Sequence, residues 1–117
     1  MPVHHQHRDS ILVITVDGDF TPAEVTRVAS AALAAPEAVV PAFVLLDLSG
    51  AAGMDAGSGQ MTPVSDFFAG PRAPVAQLAV LASSAVAEVL VGQARATGLE
   101  ARGFQRKSMA LEWLGVW

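Results

Sequence analysis

The chain has no cysteine in its 117 residues. That absence excludes thiolate nucleophiles, cysteine-ligated zinc and redox switching, and it permits a reducing, cytoplasmic setting. Positive charge is scarce: 7 Lys and Arg stand against 11 Asp and Glu, a formal net charge of -4. The bases are scattered except for Arg102, Arg106 and Lys107 near the end, a balance that argues against nucleic acid as a partner. Long apolar runs are missing as well. The start, MPVHHQHRDS, holds no apolar signal core, and the longer apolar segments are too short and interrupted to span a bilayer, so a soluble cytoplasmic protein is expected.

Catalytic signatures are also lacking. Ser49, Ser58, Ser83 and Ser84 have no Gly-x-Ser-x-Gly elbow, and the histidines all fall in the first seven residues, which leaves no serine-hydrolase arrangement. Gly57-Ser58-Gly59 lacks the Lys-Ser/Thr of a P-loop and the third glycine of a dinucleotide fingerprint. No catalytic residue and no cofactor is assigned.

What is present is an alternation of strands and helices. A chain of this length buries roughly two-thirds of its unfolded surface without staples, so residues 1–117 are read as one domain. Val3 to Arg8 is β-compatible, and Arg8-Asp9-Ser10 reads as a turn before the β-branched run Ile11 to Val16, giving an N-terminal hairpin. Asp17-Gly18-Asp19 breaks that strand. Thr21 then offers an N-cap, Pro22 a first helical residue, Glu24 the second half of a capping box, and Phe20 a staple onto Val25. Val25, Val28, Ala29, Ala32 and Leu33 share one helical face until Ala35-Pro36 closes it, and Glu37 to Pro41 is a linker.

Further on, Thr62-Pro63 opens a short helix anchored by Val64, Phe67 and Phe68 and ended by Gly70 to Pro74. Val75 to Ala82 is apolar enough to be an interior strand. Ser83 or Ser84 caps a helix whose Val86, Val89, Leu90 and Ala94 share a face, with Glu88 early, Arg95 in the last turn and Gly98 as C-cap. Leu99 to Phe104, with Glu100 and Arg102 on one side, has the composition of an edge strand. A last helix, about Lys107 to Leu114, turns Ala110, Leu111 and Leu114 inward, with Trp113 at the rim. The expected order is ββαβαβαβα: an α/β fold with a mixed, mostly parallel sheet and helices packed on it.

The chain centres on Phe43 to Gly59, FVLLDLSGAAGMDAGSG. Phe43 to Leu48 reads as a strand buried on both faces, and Ser49 to Gly59, with its four glycines, as a loop of permissive backbone. Two stretches look familiar. DLSGAAGMD, Asp47 to Asp55, resembles the strand exit of STAS domains in anti-sigma factor antagonists, and AVLASSAVAEVLVGQARATGLEARGFQRKSMALEWLG resembles the C-terminal half of SpoIIAA-like, or STAS/SEC14-like, proteins. The resemblance implies a STAS-like domain over residues 1–117 and a nonenzymatic regulatory or protein-interaction module from a bacterial cytoplasm. In the phosphorylated antagonists the acceptor is the second serine after the aspartate. Carried over, Asp55 takes the aspartate's place, Ala56 the first serine's and Gly57 the acceptor's, so the phospho-switch is absent; Ser58 stands one position later.

The expected partner- or ligand-binding residues are therefore Asp47, Ser49, Met54, Asp55, Gly57, Ser58 and Gly59, where ligands of open α/β sheets gather at the carboxyl ends of strands. The alternative is a carrier or sensor of a small apolar or nucleotide-like ligand held between the sheet and a helix. Asp47 and Asp55, with Asp17 and Asp19, invite a hard cation, but aspartates at strand ends are ordinary turn and capping residues, and no metal is assigned. His5 and His7, two apart, face one side of a strand, and two ligands on an edge strand do not close a metal site. Met61, Phe67 and Phe68 are read as core residues that could also line a partner groove. Arg102, Arg106 and Lys107 are read as a solvated rim. An exposed edge strand or apolar helix face would serve a homodimer.

Overall fold

In the computed structural model the described residues are 3–8, 11–18, 20–35, 42–51, 67, 75–82, 84–96 and 98–115. They form β1 (Val3–Arg8), β2 (Ile11–Gly18), α1 (Pro22–Leu33), β3 (Ala42–Ala51), β4 (Val75–Leu81), α2 (Ser84–Ala96), β5 (Glu100–Phe104) and α3 (Lys107–Trp113). The strands make one sheet in the order β1-β2-β3-β4-β5. β1 pairs antiparallel with β2, Arg8 opposite Ile11, as a tight hairpin requires. The remaining pairings are parallel. The expected mixed, mostly parallel sheet is borne out.

Sequential strand order has a geometric consequence. Right-handed crossovers that all step the same way put every connecting helix on one face. α1, α2 and Phe67 of the β3–β4 connection accordingly share a core with Leu12, Ile14, Val16, Val44, Leu46, Leu48, Leu78 and Val80. This is the front face. The pleat sends the intervening residues, Ile11, Val13, Leu45, Ala79 and Leu81, to the back, where α3 covers them with Ala110 and Leu114. α3 follows the last strand and connects nothing, so it is free to take the other side. Fully buried residues such as Ile14, Leu46 and Leu90 each contribute roughly 1.5–3 kcal/mol of transfer free energy.

The start of α1 is built as the sequence predicts. The Glu24 N–H donates to Thr21 Oγ1 at 3.3 Å while Glu24 Oε1 accepts from the Thr21 N–H at 3.2 Å, closing the capping box. Phe20 packs against the same core as Val25. At the far end of α2, Gly98 adopts φ 96 and its N–H reaches the Arg95 carbonyl at 3.0 Å, the left-handed stop that glycine permits.

β3 corrects one expectation. It does not end at Leu48; Ser49, Gly50 and Ala51 continue the strand. The linker over residues 37–41 and the segment 52–66, with the helix start at Thr62-Pro63, lie outside the described residues, as do Phe68 and residues 70–74. Phe67 is helical and half-buried.

Candidate functional site

The extension of β3 depends on a bulge. Thr15 stands opposite Asp47 but Asp17 stands opposite Gly50, so β3 carries one residue more than β2 between these points. An extra residue leaves a backbone group without a ladder partner. Asp47 supplies the partner: its Oδ1 accepts from the Ser49 N–H at 3.0 Å and from the Ser49 hydroxyl at 2.6 Å. Leu48 can then stay buried in the front core while Asp47 keeps the back-face parity of Phe43 and Leu45. Asp47 is only 7% exposed, and a buried carboxylate is tolerable where hydrogen bonds replace water. Ser49 and Gly50 are exposed.

A second carboxylate lies close by. A Cβ on Gly50 would overlap Asp17 Oδ1, so the missing side chain at position 50 makes room for the Asp17 carboxylate beside the bulge. Gly18 follows with φ 64 and turns the chain away. Asp47, Ser49 and Asp17 are thus brought to one end of the sheet. Met54, Asp55, Gly57, Ser58 and Gly59, together with Asp19, lie outside the described residues. Among the described residues no three His, Cys, Asp or Glu side chains gather as metal ligands. His5 and His7 face one side, as their spacing predicts, with ring centroids 5.8 Å apart at 79°.

The sequence did not reveal the second feature, a groove of about 600 Å³ beyond β5. Ala87, Glu88, Val91 and Arg95 of α2 form one wall, the continuous run Arg102 to Arg106 the floor, and Met109 of α3 the other wall. It lies between α2 and the β5 edge of the sheet, closed on the far side by α3. Arg95 Nε donates to the Ala101 carbonyl at 2.8 Å. The Arg102 guanidinium sits 5.6 Å from the Phe104 ring centroid, within cation–π range. Arg102 and Arg106, read from sequence with Lys107 as a solvated rim, line the same groove as Arg95. The usable signal is the short connection between Ala96 and Glu100, which brings the last turn of α2 back alongside β5.

No family model matches the chain, and no curated protein matches it. Among solved structures it is similar to an uncharacterised protein of the DUF3478 family from Shewanella loihica PV-4, described as having a SpoIIAA-like fold and determined at 2.25 Å. The two superpose with a TM-score of 0.64 at 16% identity, over 96% of this chain and 91% of that one. The fold is SpoIIAA-like. In this SpoIIAA-like sheet the bulged end of β3 and the arginine groove at β5 are the two features that bear on function. Identity at this level carries the fold, and activity has to be argued from the sites. No described helix is long and apolar enough to cross a membrane.

Proposed function

We propose that the chain is a nonenzymatic STAS-like module of a bacterial cytoplasm that regulates or assembles with a protein partner through the end of β3 and the segment beyond it. The contact set is Asp47, Ser49, Met54, Asp55, Gly57, Ser58 and Gly59. The supporting observation is the Asp47–Ser49 clamp, which fixes an exposed, polar strand end on an otherwise buried strand. A binding surface benefits from such preorganisation, because less chain entropy is lost on association. Glycine at position 57 has no hydroxyl to phosphorylate, so the surface is read as permanently in its unmodified state.

Ser49→Arg and Ser58→Arg test this reading by adding a long charged side chain at two residues of the contact set, with urea denaturation run beside them to separate lost contact from lost stability. Co-purification should recover a specific protein with the wild type and with Met109→Ala, and lose it with both serine variants. Partners retained unchanged by both would sink the proposal. Mass spectrometry of the purified chain should find no phosphate on residues 52–66.

A further inference from the structure

The groove at β5 has the geometry of a strand receptor. β5 pairs with β4 on one side, and among the described residues nothing pairs with its other side. In a parallel ladder alternate residues turn their N–H and C=O toward the neighbouring strand. The Phe104 carbonyl accepts from the Ala82 N–H at 3.4 Å, so Phe104, Arg102 and Glu100 face β4. Ala101 and Gly103 then face outward, as the Ala101 carbonyl shows by accepting from Arg95. Among the described residues nothing bonds the outward groups of Gly103, which has no side chain to screen them. The floor of the groove includes residues of both pleat parities, Arg102 to Arg106, so it runs along the backbone edge itself.

The charge of the groove selects the occupant. Three of the 7 Lys and Arg of a chain with net charge -4 line it, against one carboxylate, Glu88. Arg95 reaches the edge from the front, and Arg102, held over Phe104, stands on the back. An added strand would therefore meet a guanidinium on each of its faces. Met109, 53% exposed, adds an apolar contact at one wall. A second copy of β5 fits poorly, because two such edges would bring their arginine sets together at one seam.

We propose that the open edge of β5 docks an extended acidic segment of a partner protein, which joins the sheet as an added strand between α2 and α3. Backbone bonds to Gly103 supply the strand pairing, and Arg95, Arg102 and Arg106 select acidic side chains. This surface is separate from the end of β3, so either can fail without the other.

The test uses the full chain and a fluorescein-labelled octapeptide of alternating glutamate and valine. Anisotropy should show saturable binding that weakens with ionic strength. The lysine–valine counterpart should not bind, and the glutamate–valine peptide N-methylated at every residue should bind at least about tenfold more weakly, a loss of about 1.4 kcal/mol. Arg102→Glu with Arg106→Glu should cause a loss of similar size. On the wild type, the Gly103 amide should shift and exchange more slowly when the peptide is bound. Equal binding of the N-methylated peptide, or amide shifts elsewhere than β5, would overturn strand addition. Sedimentation showing a wild-type dimer that dissociates in the double variant would assign the edge to a second copy instead.

Discussion

Asp47 holds Ser49 twice through one oxygen, accepting its N–H at 3.0 Å and its hydroxyl at 2.6 Å. Both bonds go to a carboxylate, and bonds of that kind contribute about 1.5–3 kcal/mol where they are shielded from water. Asp47→Ala removes both at the bulge and should destabilise the protein by about 2–3 kcal/mol. Asp47→Asn keeps a carbonyl oxygen in place and should cost about half as much. Urea denaturation midpoints check both values, and an Asp47→Ala midpoint equal to that of the wild type would show that the clamp contributes nothing.

Gly50 and Gly103 both sit where a Cβ would intrude, and they should respond differently. At Gly50 the obstacle is Asp17 Oδ1, the free end of an exposed side chain. At Gly103 it is the Ala87 Cβ, 2.9 Å from the added atom, a group that cannot rotate away. Gly50→Ala should therefore cost less than about 1 kcal/mol, while Gly103→Ala forces α2 off β5 and should cost about 1–3 kcal/mol. Thermal denaturation of Gly103→Ala with and without Ala87→Gly separates overlap from backbone effects. If the overlap is the cause, the second substitution recovers stability despite its own helix cost of about 1 kcal/mol.

These contrasts mark what was legible in the sequence. The hairpin, the interior position of β4 and the edge position of β5 follow from local composition, and Thr21, Pro22 and Glu24 announce α1 through groups only three residues apart. The end of β3 was harder to read, because Asp47, Ser49 and Gly50 carry the same chemistry in a turn as in a bulge, and only pairing with β2 distinguishes them. The arginine groove left a trace in the sequence in the short connection between Ala96 and Glu100. Arg95 and Arg102 come from different elements, and the crossover geometry brings them together. Of the expected contact residues, Asp47 and Ser49 meet at the end of β3, Ser49 within the strand and not in the loop expected for it, while Met54, Asp55, Gly57, Ser58 and Gly59 lie outside the described residues.

The capping box of α1 gives a prediction of known scale. Thr21→Ala removes the Oγ1 acceptor for the Glu24 N–H, and losing such a cap costs typically about 1 kcal/mol. Glu24→Ala removes the return bond to the Thr21 N–H, which is exposed and can turn to water, so it should cost less. Chemical denaturation ranks the two. A larger loss for Glu24→Ala would mean that the side chain of Glu24 does more than complete the cap.

α3 presents the opposite case. Its N-cap is Arg106, at φ -129 and ψ 133, with no side-chain hydrogen bond to the helix. The backbone there suits a cap, but the side chain is a cation at the positive end of the helix. Arg106→Asp should therefore stabilise the protein, by about 0.5–2 kcal/mol, and Arg106→Ser, which supplies a cap without the charge, should give a smaller gain. Both should weaken binding of the acidic peptide at β5, the aspartate more strongly. A residue that lowers stability at its own position and raises affinity in the groove is the pattern expected where function overrides a local folding preference. If Arg106→Asp left stability unchanged, the first turn of α3 would already be satisfied and the arginine would carry no such cost.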